Sequence, residues 1–368
     1  MKVQRIRLPD TARMSWMVLD DAYLPIQPVV AFLTFLEDTG RSPNTIRSAA
    51  HHLKLFWEYL RDSHLDWTDV DVRQLAAFIA WLRASQPGVD SIAPQDPRRT
   101  DATIDQILTA IHGFYDFHMR LKTVPDLALY DFLQMPHRRY KPFLFGIAKV
   151  KPVRRRVVRV KREQRRIKTI TVQQAERLIG ACTTLRDKFL LTLLFETGMR
   201  IGQALGLRHE DIREEENQVH IVPREDNVNG ARAKTTEAYQ VPVENTRVMR
   251  CYTEYLFSEL NALEAEVLPD YVFINLWAGE IGRPLTYAAV ASLFRRLERK
   301  TGIHITPHMF RHTRATTWIR EEVPLPVVSR LLGHKSIATT EAIYVERNPE
   351  DLRKALKQAK HKEPKYEG

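Results

Sequence analysis

The chain has 368 residues, 44% hydrophobic and 27% charged, with a formal net charge of +11. That composition excludes a disordered or collagen-like polypeptide. The lack of an apolar run of about 18 residues argues against a spanning helix, and two cysteines without a CxxC argue against a disulfide framework or a thiolate zinc site. The charge is unevenly spread: residues 137–168 carry 14 Lys/Arg against one acidic residue, Glu163, and the rest of the chain sums to −2. A polyanionic partner is therefore expected, nucleic acid ahead of an anionic membrane. MKVQRIRLPD at the start has no apolar signal core, so a cytoplasmic, nucleoid-associated protein is expected.

Residues 1–24 read as a short strand-like extension. Val3, Ile6 and Leu8 share one extended segment and Trp16, Val18 and Leu19 another, with Pro9-Asp10 turning between them. From Pro25 a helical bundle is expected to run to Met135-Pro136. Ser42-Pro43 joins a capping serine to a proline at the first helical position. Ile46, Ala49, Ala50, Leu53, Phe56, Trp57 and Leu60 follow with helical periodicity. Residues 74–83 and 102–120 repeat that behaviour, and residues 86–99, with three prolines, read as a loop. Phe56, Trp57 and Tyr59 are expected in the bundle core rather than as base-stacking platforms.

Residues 137–168 read as a basic interdomain linker. Pro142 and Pro152 discourage a continuous helix. The alternation over residues 153–160 permits an extended segment, taken as chain lying on an anionic surface rather than as a buried element, with a solvated tether as the alternative. Arg154, Arg155, Arg156, Arg159, Lys161 and Arg162 are its candidate DNA contacts. The second domain, residues 169–368, opens on Thr171, spaced as a capping box with Gln174. A very apolar helix over 189–195 enters Thr197-Gly198. Residues 219–222 and 239–243 predict a long hairpin around a mobile basic tip, and the chain reads as mostly helical from Val248 onward, with an amphipathic helix over 349–359. The fold class is mainly α with a small β component: a helical bundle, then a mixed α+β domain.

Two groups of residues carry chemistry. Glu196-Thr197-Gly198-Met199-Arg200-Ile201 precedes Leu205-Gly206-Leu207. Thr306-Pro307-His308-Met309-Phe310-Arg311-His312-Thr313 is followed by Leu331-Leu332-Gly333-His334 and, ten residues on, by Tyr344 at the end of Thr339-Thr340-Glu341-Ala342-Ile343-Tyr344. Arginine's planar fork binds two phosphate oxygens and stays charged, and His308 and Arg311, three apart, share a helix face. His304, His308 and His312 mimic a metal face, but no cysteine or compact carboxylate set joins them, so no metal is expected. Cys182 and Met199 read as packing.

In this order the boxes resemble those of the tyrosine recombinases, the phage-integrase-type site-specific recombinases, over roughly residues 169–350. More loosely, Ser42-Pro43-Asn44-Thr45 is similar to the start of their core-binding domain, which implies a SAM-like bundle. The resemblance implies Tyr344 as nucleophile, Arg200 and Arg311 on the non-bridging oxygens, His308 as base toward the tyrosine and His334 donating a hydrogen bond to the phosphate. It implies Lys234, at the hairpin tip Gly230-Ala231-Arg232-Ala233-Lys234, as general acid for the 5′ oxygen. A partly desolvated lysine between arginines would have its pKa lowered. A tyrosine of free pKa about 10 needs the cationic cluster and a base to attack at neutral pH. The product would be a 3′-phosphotyrosyl link that keeps the phosphodiester energy, so neither ATP, metal nor other cofactor is called for.

One position departs from the family pattern. Gln203 stands three after Arg200, where an acid is usual; its amide can still hydrogen-bond the guanidinium but adds no counter-charge. The resemblance further implies that both domains clamp duplex DNA at specific sites. It implies a homotetrameric synapse in which the segment after Tyr344 packs on a neighbour, with room for accessory or co-encoded proteins. The long N-terminal part and the basic linker favour a mobile-element integrase or transposase. Two other readings stay open: a type IB topoisomerase-like relaxing enzyme, and a DNA-binding regulator with a vestigial site.

Overall fold

The structure, a computed structural model, describes residues 1–7, 14–84, 99–133, 153–160, 168–235, 237–263, 270–277, 279–334 and 336–344. It is 55% helix and 11% strand, the mainly α class expected. The chain divides into two compact units, Met1–Arg165 and Arg166–Gly368. Among the described residues no helix is long and apolar enough to cross a membrane.

The first unit opens on an antiparallel pair, β1 (Lys2–Arg7) and β2 (Met14–Leu19), in which Val3 faces Val18. The turn read at Pro9-Asp10 lies outside the described residues. Four helices follow: α1 (Gln27–Asp38), α2 (Pro43–Asp62), α3 (Val72–Arg83) and α4 (Asp101–Arg120). Ser42 accepts the Thr45 amide proton at 3.2 Å, the N-cap expected of Ser42-Pro43. Asp71 and Gln74 close a reciprocal capping box on α3. Phe56, Trp57 and Tyr59 are buried; Phe56 packs at 5.1 Å on Phe78 and Trp57 at 5.2 Å on Phe114, edge to face. Rings committed to that cluster hold the bundle together. Of the loop over 86–99 only Arg99 is described, donating to the Leu82 carbonyl at 3.3 Å.

The basic segment differs from a free-running linker. β3 (Tyr130–Leu133) pairs antiparallel with β4 (Val153–Arg156), Tyr130 opposite Arg156. Val158 and Val160 are then only 8% and 9% exposed and join the bundle core, while Val157 and Arg159 between them face out. The period-2 alternation of a half-buried strand thus outweighs the charge density, and the reading of residues 153–160 as surface chain is corrected at the two valines. Lys161 and Arg162 lie outside the described residues.

The second unit begins with α5 (Val172–Gly180), capped reciprocally by Thr171 and Gln174 as expected. α6 (Leu185–Thr197) is buried on all sides, the mark of a central core helix, and ends on Gly198 at φ 61°. α7 (Ile201–Ala204) follows. The hairpin strands β6 (Gln218–Ile221) and β7 (Tyr239–Pro242) pair with Val219 opposite Val241, and a short strand absent from the sequence reading, β5 (Ile212–Arg213), adds to the β6 edge. After α8 (Arg247–Tyr255) comes a π turn, Leu256–Leu260. Residues 271–277 and 279–285 are bends and turns, with bridges Arg208 to Tyr271 and Ile274 to Pro284, within a stretch read as mostly helical. Gly279, Gly282 (both at positive φ) and Pro284 break it.

Among the described residues four helices follow: α9 (Tyr287–Thr301), α10 (Pro307–Arg320), α11 (Leu325–Leu331) and α12 (Ile337–Tyr344). α6 centres the core, with Phe189 stacked at 5.3 Å on Phe273 and Phe195 against Phe310 of α10. A separate small cluster, Ala315, Trp318, Val328 and Leu332, fastens α11 to α10. The helix expected over 349–359 lies outside the described residues.

Candidate active site

Three turns converge in the second unit. The first follows α6, where left-handed Gly198 stops the helix and turns the chain into Arg200, the N-cap residue of α7. The second is the start of α10, with Pro307 at its first position. The third follows α11, where Gly333 sits at φ 61°. Arg311, 3% exposed, ties them together. Its Nη1 donates to the Gly198 carbonyl at 3.0 Å and its Nη2 to the Leu332 carbonyl at 2.7 Å. Arg200 Nη1 donates to the carbonyls of Leu332 and Gly333 at 3.3 and 3.4 Å. Two guanidiniums from distant sequence boxes thus share the Leu332 carbonyl.

His334 lies beside them. Arg311 Nη2 is 2.7 Å from His334 Nε2 and Thr340 Oγ1 is 2.9 Å from Nδ1. A guanidinium only donates, so Nε2 accepts, Nδ1 carries the proton, and Thr340 receives it. Burial, then Arg311 and Arg200, push the His334 pKa down to about 4, so it is neutral at pH 7. His308, at the exposed rim of α10, also has its pKa lowered, first by desolvation, then by Arg311, Lys234 and Arg200. That ordering places the hairpin lysine within electrostatic reach of the other groups. Lys234 is exposed and left-handed at φ 57°, so among the described residues it is not the partly desolvated lysine expected from the sequence.

The tip itself is pinned. Asn229 Nδ2 donates to the Leu205 and Leu285 carbonyls at 3.0 and 2.9 Å, and Asn227 Nδ2 to the Ala231 carbonyl at 3.0 Å. Ala231 and Ala233 are buried, and the Tyr287 hydroxyl hydrogen-bonds the Arg232 backbone. A mobile tip was expected; its small residues instead let the loop fold back onto α7.

Tyr344 is the last residue of α12, and its side chain lies outside the described residues. Arg155, Arg156 and Arg159 belong to the first unit, with Arg156 Nη1 donating to Thr109 Oγ1 at 2.9 Å; the side chain of Arg154, on β4, lies outside the described residues. His304 pairs with Glu298 at 2.9 Å, and among the described residues no three His, Cys, Asp or Glu are grouped to hold a metal ion. Cys182 packs against the core and burial pushes its thiol up to about 12.

From the sequence, Gln203 could still hydrogen-bond the Arg200 guanidinium. Its described bonds go elsewhere: Oε1 accepts the Arg200 backbone N–H at 2.7 Å and Nε2 donates to the Tyr239 hydroxyl at 2.8 Å. Tyr239 escaped the sequence reading, since a tyrosine opening a β-strand looks like ordinary strand composition.

Residues 168–351 match the Phage integrase family, and residues 29–122 the Phage integrase N-terminal SAM-like domain. The chain is 36% identical over 367 residues to Transposase A from transposon Tn554 of Staphylococcus aureus, covering 98% of this chain and 100% of that protein. It is 22% identical over 329 residues to tyrosine recombinase XerA of Pyrococcus horikoshii, covering 89% and 92%. In fold it resembles the Tn1549 transposon integrase in complex with a circular intermediate DNA, with a TM-score of 0.62 at 15% identity over 90% of this chain and 99% of that one. It also resembles XerH site-specific recombinase bound to a palindromic difH substrate, with a TM-score of 0.57 at 17% identity over 92% and 90%.

The family match and the relatives define an enzyme that cuts and rejoins DNA strands, a tyrosine recombinase. The chain belongs to the phage integrase family, and its work is site-specific DNA recombination. Neither a topoisomerase nor a regulator is favoured, since the relatives matched over most of their length are a transposase and recombinases.

Proposed function

We propose that the scissile phosphate enters beside Arg200 and Arg311, and that Tyr344 Oη attacks its phosphorus. The phosphorus–5′-oxygen bond breaks as the tyrosine–phosphorus bond forms. His308 takes the tyrosine proton, and Lys234 gives one to the departing 5′ oxygen. The 5′-hydroxyl of a second strand then reverses the step, so one phosphoester replaces another with no net input of energy. The observation that carries this reading is the gathering of both guanidiniums on the Leu332 carbonyl. Carbonyls fix the two forks without cancelling their charge, which preorganises them for an anion. A neutral His308 at pH 7, its pKa lowered as described, is a competent proton acceptor, and DNA closing over Lys234 would supply its desolvation.

The same reading takes residues 25–136 as the core-binding domain, residues 169–368 as the catalytic domain with its tail, and the arginines of β4 as phosphate contacts. It takes the assembly as a tetramer on paired half-sites, working with accessory proteins on the bacterial nucleoid to move the element that encodes it. The full-length likeness to a transposase supports the mobile-element role. The test uses nicked duplexes made from the DNA flanking the gene. Wild type should give a detergent-stable covalent adduct, and Tyr344→Phe should bind equally well and give none. An adduct that survives in Tyr344→Phe would sink the reading.

A further inference from the structure

Tyr239 opens β7, five residues after Lys234 and opposite Ile221. Its half-buried ring lies against Gly333 so closely that a Cβ there would come within 2.6 Å of the hydroxyl and 2.7 Å of Cζ. Its hydroxyl accepts from Gln203 Nε2 at 2.8 Å, and the other end of that amide accepts the Arg200 backbone N–H at 2.7 Å. Gln203 is 3% exposed, so both of its polar ends need partners, and these two bonds supply them. The tyrosine therefore touches all three cationic segments: the strand leaving the lysine hairpin, the arginine turn through Gln203, and the Gly333 turn whose carbonyl receives Arg200.

We infer that Tyr239, acting through Gln203, is a positioning residue for Arg200 and the Gly333–His334 turn, a link a carboxylate at position 203 would keep. The amide needs the phenol because its NH₂ must be accepted by something; a carboxylate would instead accept both the Arg200 N–H and the tyrosine O–H. Desolvation raises the Tyr239 pKa while Gln203, Arg311 and Arg200 oppose the rise, consistent with a neutral phenol near both guanidiniums. The inference rests on the assignment of Arg200 and Arg311 to the scissile phosphate.

The experiment compares single-turnover cleavage of the nicked flanking duplex by wild type, Tyr239→Phe, Gln203→Leu, the double variant and Gln203→Glu. Tyr239→Phe should slow cleavage roughly three- to tenfold, the worth of one net hydrogen bond, and Gln203→Leu, which removes two, at least as much. DNA affinity should stay near wild type, and the unfolding midpoint should fall only by the cost of one unsatisfied buried amide. The double variant should be no slower than the slower single, since both break one link, and Gln203→Glu should keep the wild-type rate. On a duplex whose scissile phosphate is an uncharged methylphosphonate, the Tyr239→Phe penalty should shrink, because the arginines then have no anion to align on. Equal penalties on both substrates, additive singles, or a wild-type rate for Tyr239→Phe overturn the inference alone. Covalent product from Tyr344→Phe overturns the underlying reading, and this inference with it.

Discussion

Arg311 Nη2 stands 2.7 Å from His334 Nε2, and since the guanidinium can only donate, the imidazole nitrogen that a phosphate oxygen would need as a donor is spent as an acceptor. In this state His334 cannot give the phosphate a hydrogen bond from Nε2. On the proposed reading it gains that ability by taking a second proton, which a bound phosphate favours by offsetting the arginine charges that, after burial, hold its pKa near 4.

Binding should therefore take up protons. Titrating the flanking duplex at pH 5–6 in buffers of different ionisation enthalpy should show net uptake for wild type and less for His334→Gln. Equal uptake by both would mean that His334 stays neutral in the complex.

The same depressed pKa acts on stability. A histidine of ordinary pKa 6.5 in the unfolded chain and about 4 in the folded one leaves the unfolded state binding more protons between those values. Stability then falls as pH drops from about 6.5 toward about 4. Thermal midpoints of the whole chain across that window should fall less steeply for His334→Gln than for wild type; parallel curves would contradict the assignment.

Gly333→Ala should be far more harmful than Gly302→Ala. Both glycines are left-handed, and an alanine there strains the backbone by about 1–2 kcal/mol. At Gly302 nothing lies within 4 Å of the added carbon, whereas at Gly333 it meets the Tyr239 ring. Cleavage should drop at least tenfold in Gly333→Ala and stay near wild type in Gly302→Ala, whose cost shows only in the melting midpoint.

Neutralising Arg154, Arg155 and Arg156 to glutamine should weaken specific and random DNA alike, lowering the salt slope by roughly 0.9 for each charge that meets a phosphate. Val158→Asp should instead lower the melting midpoint, because Val158 is a core residue of the first unit. An unchanged slope in the triple variant would leave these arginines as surface charge only.

The readable parts of the sequence were those where one local rule governs. Ser42-Pro43, the Thr171 and Gln174 pair and the periodic faces of α2 and α4 each follow from backbone chemistry within a few residues, and the structure has them. The two boxes flanking Arg200 and Arg311 were legible because their spacing is distinctive. Other features depend on contacts distant in sequence. Val158 and Val160 find their core through a strand paired with Tyr130–Leu133, and β5 exists only as an addition to the β6 edge. The Gln203 to Tyr239 bond spans 36 positions. Charge density in residues 137–168 suggested surface chain and was weighed above the valine alternation within it.

The cluster of Ala315, Trp318, Val328 and Leu332 stands apart from the main core of its unit, yet Leu332 carries the carbonyl on which both arginines rest. On the proposed reading, opening this cluster disturbs the arginine geometry while the main core stays folded. Freeing α11 would take the Leu332 carbonyl from both guanidiniums, leaving Arg311 held by Gly198, by a local opening that costs less than global unfolding. Native-state hydrogen exchange should find the α11 amides opening well before those of α6, and DNA held by the arginines should slow that opening, making substrate a structural member of the site it reacts in.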